Sequence, residues 1–191
     1  MNIANKLTLL RVVLVFAFMG IIWLPLSLSI GTVLWIALAI FIIASLTDFL
    51  DGYLARKLNL VTNLGKFMDP LADKMLVTAA MLAVVDFGIK GMLPAGILPT
   101  WIVVFILLRE FMVSGVRLIA ANQNHVIAAS YLGKLKTVIQ MAMIIVYLLP
   151  VNWPILPVLA TCLAYLALVL TLVSGFEYLW KNKDVFKTEA H

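Results

Sequence analysis

Charged residues are scarce in this chain. Only 12% of its 191 residues are charged and 64% are hydrophobic, and the mean hydropathy is +1.12. A soluble domain carries about 25% charged residues, so the deficit excludes an ordinary soluble fold and indicates an integral membrane protein. Cysteine is nearly absent as well. The single Cys162 excludes a disulfide or a thiolate–metal site within the chain, and its apolar neighbours predict an inert, buried packing residue.

Soluble segments, low-complexity tracts and internal repeats are also missing from the sequence. The chain consists instead of long apolar runs of about 20 residues, the length that a spanning helix needs, separated by breaks rich in Pro and Gly. We predict six spans, at residues 7–25, 31–57, 68–87, 97–120, 131–150 and 154–180. The expected fold is an all-α integral membrane domain over residues 1–180, with six transmembrane helices and a short N-terminal interfacial segment. A basic cytoplasmic tail is expected over residues 181–191.

Basic residues predict the orientation of the chain. The pI is near 9.4, but the basic residues lie at predicted membrane boundaries rather than on a soluble face, so we expect no nucleic-acid partner. Every Lys and Arg except Lys90 falls on one side of the predicted topology. Those residues are Lys6, Arg11, Arg56, Lys57, Lys66, Lys74, Arg109, Arg117, Lys134, Lys136, Lys181, Lys183 and Lys187. The positive-inside rule predicts a multi-pass protein of the inner (cytoplasmic) membrane, with both termini in the cytoplasm and basic residues near anionic membrane lipids.

Acidic residues are rare and unevenly distributed. Of nine Asp and Glu residues, four lie in one stretch: Asp48, Asp51, Asp69 and Asp73. An ionisable side chain at membrane depth costs roughly 2.5–3.5 kcal/mol, so four without counter-charge would cost on the order of 10 kcal/mol. Spacings of three and four residues put each pair on one helix face, and side-by-side packing of the two helices would join the pairs. Because hard divalent cations prefer oxygen ligands, the sequence predicts a metal site at these carboxylates.

Residues between the aspartates indicate a phosphate-bearing ligand. Gly52, Ala55 and Gly65 have minimal side chains, so a ligand can approach the backbone closely. Arg56 offers a bidentate donor suited to a phosphate oxygen. In attack on a pyrophosphate, divalent cations neutralise the phosphates, and a remaining carboxylate can take the proton of the attacking hydroxyl. A purely structural cluster of Asp–Arg and Asp–Lys pairs is the alternative interpretation.

The pattern D-x2-D-G-x2-A-R-x8-G-x3-D-x3-D, formed by these eight residues without a departure, resembles the defining motif of the CDP-alcohol phosphotransferases. The resemblance implies six transmembrane helices, a homodimer and a cytoplasm-facing site with two divalent cations, Mg²⁺ or Mn²⁺. It implies that all four aspartates surround the metals and that Asp73 is the general base. The implied CDP-binding residues are Asn5, Thr8, Asp48, Asp51, Gly52, Ala55, Arg56 and Gly65. The implied reaction is displacement of CMP from a CDP-linked lipid by an alcohol.

A second set of basic residues concerns the acceptor alcohol. Cations that converge near a metal site suit an acceptor with its own phosphate, although positive-inside flanking charge explains them too. The segments 2–11, 109–117 and 133–137 look like those of bacterial family members that act on sn-glycerol 3-phosphate. That resemblance implies CDP-diacylglycerol as donor and sn-glycerol 3-phosphate as acceptor. The implied ligands of the acceptor phosphate are Lys66, Arg109, Arg117, Lys134 and Lys136.

Two alternatives remain open. The same reaction with another acceptor would involve inositol phosphate, which fits the cationic set equally well, or phosphatidylglycerol, which would give cardiolipin. Serine carries no phosphate and is disfavoured. A divalent-cation transporter would also have carboxylates in the membrane. Transporter sites lie near the midplane between internal repeats, however, and the sequence shows no repeat.

Overall fold

The computed structural model describes the backbone of residues 3–24, 27–58, 63–122 and 130–183, and the side chains of residues 9–24, 27–47, 74–120 and 130–183. Within these ranges the chain is helical and has no strand, so the predicted all-α fold is confirmed for the described part. The helices found there are α1 (Ile3–Trp23), α2 (Ile30–Leu58), α3 (Asn63–Ile89), α4 (Thr100–Asn122), α5 (Tyr131–Leu148) and α6 (Leu156–Lys181).

Serine caps and glycine turns mark several helix boundaries. Ser29 precedes α2, and its hydroxyl accepts a hydrogen bond at 3.3 Å from the backbone N–H three residues later, as an N-cap does. Ser130 caps α5 through the same kind of bond, at 3.1 Å. Between α3 and α4, Gly91 and Gly96 have φ values of 68° and 86°, a conformation that favours glycine. Short-range signals therefore set where these helices begin and where the α3–α4 connection turns.

The chain divides into two compact units, which are described separately. The first comprises Met1–Ile97 and Ile144–Leu156. In it, α1 packs against both α2 and α3. Its most deeply buried large side chains include Phe18, Leu34, Phe41, Met81 and, unusually for a charged residue, Arg11.

The second unit comprises Leu98–Met143 and Pro157–His191, and its buried positions recur every three or four residues. This is the spacing of one helix face. On α4 the buried face contains Ile102, Ile106, Arg109, Val113, Val116 and Ala120. On α6 it contains Ala160, Ala164, Ala167, Thr171, Ser174 and Tyr178. The first half of the α6 face is alanine, which permits close helix packing. The second half carries hydroxyl groups, and we call Thr171, Ser174 and Tyr178 the polar end of α6.

Several helices have membrane character. Among the residues that the structure describes, three segments are long and apolar enough to cross a membrane: Ile30–Thr47, Tyr131–Leu148 and Leu156–Lys181, with mean hydropathies of 2.4, 1.3 and 2.4. Leu9–Trp23 is a shorter apolar helix segment. Helix α4 is also largely apolar, but its charged residues at 109, 110 and 117 interrupt the run. These findings agree with a membrane protein, while six spans and cytoplasmic termini stay predictions.

The structure departs from the predicted fold at three points. The third helix begins at Asn63 rather than at residue 68, because the predicted span followed the apolar run and the first turn of the helix carries the polar residues Asn63 and Lys66. Helix α1 is continuous from Ile3, so the residues expected to form a separate interfacial segment are its first turns. The prediction that Cys162 is buried is wrong: its side chain is exposed, because it lies on the face of α6 opposite the alanines. The boundary between a domain at 1–180 and a tail stays a prediction.

Candidate functional site

The polar end of α6 receives side chains from both neighbouring helices of the second unit. Gln140 of α5 donates from Nε2 to the Thr171 hydroxyl at 3.2 Å. Arg109 of α4 donates from Nη2 to the Ser174 hydroxyl at 3.0 Å. All four side chains are buried. Because a buried polar group without a hydrogen bond is costly, these pairs fix the positions of the three helices relative to one another.

Helices α4 and α6 run parallel in this unit. Trp101 packs on Tyr165 with 6.2 Å between ring centroids. Eight residues further along α4, Arg109 meets Ser174, nine residues further along α6. Sequence numbers that rise together along both helices require parallel chains. The side chain of Arg109 thereby reaches Ser174, the middle residue of the polar end of α6.

Two cationic side chains, Arg109 and Lys136, contact the same carboxylate oxygen of Glu110. Arg109 donates from Nη1 to Oε1 of Glu110 at 3.3 Å, and Lys136 of α5 donates from Nζ to that same Oε1. Ser174 holds the other terminal nitrogen of Arg109. We call Arg109, Glu110, Lys136 and Ser174 the cationic network. It joins one residue or more from each of α4, α5 and α6.

The network is buried and carries more positive than negative charge. The side chain of Lys136 is 4% exposed and that of Arg109 is 8% exposed, whereas Glu110 is 22% exposed. Two cations and one carboxylate give these side chains a formal charge of +1. Taking an ion out of water costs several kcal/mol unless opposite charge compensates it. Nε of Arg109, also buried, makes no hydrogen bond within the described part of the chain. Such a surplus of donors and positive charge suits a bound anion, and a phosphate above all.

The other two predicted acceptor cations with described side chains are exposed. Arg117 donates from Nε to the Tyr178 hydroxyl at 3.4 Å, and its guanidinium lies 5.6 Å from the Tyr178 ring centroid. That tyrosine is buried in a cluster with Val113 and Val116. Lys134 is exposed in the first turn of α5. The structure thus brings Arg109 and Lys136 together. It places Arg117 of α4 against Tyr178 of α6, and Lys134 does not belong to the described network.

Most of the predicted donor and metal residues have side chains outside the described set. They are Asn5, Thr8, Asp48, Asp51, Gly52, Ala55, Arg56, Gly65, Lys66, Asp69 and Asp73. Their backbones belong to α1, α2 and α3, so the two aspartate pairs lie on consecutive helices, as expected. Among the side chains that the structure describes, no group of three or more His, Cys, Asp or Glu residues could hold a metal ion. The predicted metal and CDP ligands therefore stay predictions.

Sequence reasoning missed the residues of α6. Ser174, Gly175 and Tyr178 follow a helix face whose first half is alanine, and only the structure shows that they meet the arginines of α4. One signal was available in the sequence. Hydroxyl-bearing residues at 171, 174 and 178 continue the spacing of the alanines at 160, 164 and 167. Polar residues on an otherwise apolar buried face predict a polar partner on a neighbouring helix.

Comparisons with known proteins agree with this picture. A family model described as CDP-alcohol phosphatidyltransferase matches residues 1–173. Over 198 aligned residues, the chain is 44% identical to CDP-diacylglycerol–glycerol-3-phosphate 3-phosphatidyltransferase of Bacillus subtilis (strain 168), covering 98% of each protein. It is 40% identical to a probable phosphatidylglycerophosphate synthase of Mycobacterium tuberculosis (strain H37Rv), covering 93% of this chain and 79% of that protein. A Rickettsia typhi protein with the same name as the Bacillus one is 33% identical, with 97% and 99% covered.

Proposed function

Because the chain belongs to the CDP-alcohol phosphatidyltransferase family, we propose that it transfers the phosphatidyl group of CDP-diacylglycerol to sn-glycerol 3-phosphate. The products are phosphatidylglycerophosphate and CMP. The observation that supports a phosphate-bearing acceptor is the cationic network, in which two buried cations share one carboxylate oxygen. An acceptor with its own phosphate supplies the anion that such a network favours. Full-length similarity to bacterial proteins named for this reaction supports the same donor and acceptor.

The aspartate motif provides the proposed metal ligands. Asp48 and Asp51 lie one turn apart on α2, and Asp69 and Asp73 one turn apart on α3. A set of four carboxylates fits hard divalent cations, for which Mg²⁺ and Mn²⁺ are the candidates. Two such ions, when bound, would neutralise the pyrophosphate oxygens and stabilise the charge on the departing CMP.

The remaining residues of the donor site are proposed to hold CDP. Arg56 has the fork of donors that matches a phosphate. Gly52, Ala55 and Gly65 leave the backbones of α2 and α3 accessible to the ligand, and Asn5 and Thr8 offer hydrogen bonds from α1.

Proton transfer is assigned to Asp73. Its carboxylate takes the proton from the primary hydroxyl of glycerol 3-phosphate, and the oxygen forms a bond to the phosphorus that carries diacylglycerol. The bond between that phosphorus and the bridging pyrophosphate oxygen breaks, and CMP leaves with the electron pair. During this step, the acceptor phosphate is held by Lys66, Arg109, Arg117, Lys134 and Lys136.

The reaction fits an inner-membrane enzyme. A lipid donor and a water-soluble acceptor meet most readily at a membrane surface, and the basic residues predict that this surface faces the cytoplasm. Six spans, cytoplasmic termini and a homodimer are part of the same proposal.

Release of CMP from purified protein tests the proposal. The protein in detergent receives CDP-diacylglycerol and Mg²⁺ or Mn²⁺, with glycerol 3-phosphate, inositol phosphate, serine or phosphatidylglycerol as acceptor in parallel. We expect CMP only with glycerol 3-phosphate, and none from the Asp73→Asn variant, which retains the shape of the side chain but not its basicity.

Each other result has a defined meaning. CMP release with inositol phosphate or phosphatidylglycerol would retain the reaction and replace the acceptor. No release with any acceptor, from protein that is folded by circular dichroism, would contradict the reaction. Uptake of Mg²⁺ into proteoliposomes would then test the transporter alternative.

A further inference from the structure

Arg109 is held along its whole length by one turn of α6. Its Nη2 donates to the Ser174 hydroxyl at 3.0 Å. That hydroxyl in turn donates to the Thr171 carbonyl at 3.1 Å. Because the proton of Ser174 is used in the bond to the backbone, its lone pairs point to the arginine. The two bonds fix a hydroxyl that is completely buried, and so they fix the guanidinium as well.

Gly175 contacts the stem of the same arginine. A Cβ at this position would lie 2.9 Å from Cγ and 3.5 Å from Nε of Arg109. A carbon–carbon distance of 2.9 Å is well inside the usual contact distance of about 3.5–4.0 Å, so any larger residue would displace the stem. Cγ is close to the backbone of Arg109 and cannot move far without a change of rotamer. The absence of a side chain at 175 therefore determines where the arginine lies.

We infer that Ser174 and Gly175 are positioning residues for the acceptor site. They act through Arg109, which they hold in the orientation that binds the phosphate of the acceptor alcohol. The inference rests on the proposed function and adds to it a part of α6 to which the sequence motifs assign no role. Both residues also lie just beyond residue 173, where the match to the family model ends. Since Ser174 and Gly175 both contact Arg109, a proposed acceptor residue, we assign to this turn of α6 a contribution to acceptor affinity and none to donor affinity.

Steady-state kinetics of the full-length protein test this assignment. Ser174→Ala removes the acceptor of the Arg109 hydrogen bond, and Gly175→Ala inserts the missing Cβ. We expect each variant to raise the KM for glycerol 3-phosphate about tenfold, the scale of one hydrogen bond to a charged group. The KM for CDP-diacylglycerol should stay within about twofold of the wild-type value, since both substitutions act on Arg109, a proposed acceptor residue. Ser174→Thr retains a hydroxyl, and its KM for glycerol 3-phosphate should lie closer to wild type than that of Ser174→Ala.

Thr171→Val is the matched control. It removes a buried hydroxyl from the same helix face, one turn earlier, and breaks a bond to Gln140 instead of to Arg109. Its backbone carbonyl, which accepts from Ser174, is unchanged. We expect this variant to lose thermal stability without a change in either KM. A stability loss alone therefore cannot produce the pattern expected of the two positioning residues.

The outcomes separate this inference from the proposed function. If the wild type uses glycerol 3-phosphate but both variants retain its KM, or raise both KM values equally, the two residues only pack and the inference is overturned. Gly175→Ala preserves every hydrogen bond donor and acceptor, so it decides the matter if Ser174→Ala fails to fold. A wild-type protein without glycerol 3-phosphate activity would overturn the proposed function and the inference with it.

Discussion

Lys136 of α5 and Glu110 of α4 form an ion pair in which the lysine is almost fully buried and the carboxylate is partly accessible. The same oxygen of Glu110 also accepts from Arg109. The pair therefore links two helices that follow one another in the sequence, and it brings two cations to one anion. A bound phosphate would meet two positive groups whose mutual repulsion is already reduced by Glu110.

Removal of the negative charge of Glu110 should lower the stability of the protein and increase the stabilisation that added phosphate provides. In Glu110→Gln, Arg109 and Lys136 lose the anion that they share, and we expect the free energy of unfolding to fall by about 1–3 kcal/mol. Added inorganic phosphate should then raise the thermal midpoint of the variant more than that of the wild type, because phosphate replaces the missing charge. Thermal unfolding in detergent, with and without phosphate, measures both effects. An equal shift in the two proteins would contradict an anion site at the network.

Lys136 and Lys134 should differ in their importance for the acceptor. Lys136→Met removes a buried cation of the network, and we expect the KM for glycerol 3-phosphate to rise about ten- to hundredfold, the value of a charge-assisted hydrogen bond. Lys134→Met is the same chemical change at an exposed position two residues earlier. Its effect should be smaller, about threefold or less, since exposed ion pairs contribute little. A larger effect at Lys134 would mean that the phosphate binds outside the network.

Chelation of divalent cations should abolish turnover reversibly. We expect EDTA to stop CMP release and Mg²⁺ or Mn²⁺ to restore it. Asp69→Asn should raise the metal concentration for half-maximal activity by more than about tenfold. Even residues that only hydrogen-bond to metal ligands change metal affinity about ten- to hundredfold when they are mutated, and a ligand should matter at least as much. Asp86→Asn is the control on the same helix, since Asp86 pairs with Lys90 at a partly exposed position. Protection by metal against thermal unfolding provides a second readout, and equal metal dependence of the two variants would contradict the aspartate site.

Labelling of single cysteines can test the orientation. Cys162 is exposed and can be replaced by Ser to give a cysteine-free background. In intact cells, a membrane-impermeant maleimide should label Lys90→Cys, whereas Lys183→Cys should react only after permeabilisation. The physical reason is the positive-inside bias, in which Lys90 is the exception. Labelling of both positions from outside would contradict the six-span topology with cytoplasmic termini.

Apolar runs of about 20 residues predicted the helices well, while the start of α3 and the exposure of Cys162 were predicted wrongly. Apolar runs placed helices close to their observed bounds, because burial or lipid contact of a whole segment depends on many residues together. The start of α3 was placed too late because the span was drawn from the apolar run, and the first turn of the helix carries Asn63 and Lys66. Cys162 was judged by its apolar neighbours, and in a membrane protein an apolar segment can face lipid as readily as protein.

For the candidate site, sequence identified the residues that carry charge but not those that support them. Arg109 and Lys136 were predicted because cations near a metal site suit an acceptor with its own phosphate, and because their segments resemble those of family members that act on sn-glycerol 3-phosphate. Ser174 and Gly175 were not, since a serine and a glycine in a membrane helix have many ordinary roles. Only the parallel register of α4 and α6 brings residue 174 to residue 109, and that register depends on tertiary packing that no local pattern encodes.

The dependence of Arg109 on α6 bears on how the protein is made. Arg109 and Ser174 are 65 residues apart, so the arginine leaves the ribosome well before the serine that receives it. Until α6 is in place, Arg109 of α4 has Glu110 beside it but lacks the Ser174 hydroxyl. Addition of the last helix is thus the step in biogenesis that gives Nη2 of this guanidinium its acceptor, whereas Glu110 is already beside the arginine on α4. A nascent chain halted before residue 174 contains α1 to α5 and still lacks the serine and the glycine that orient its arginine.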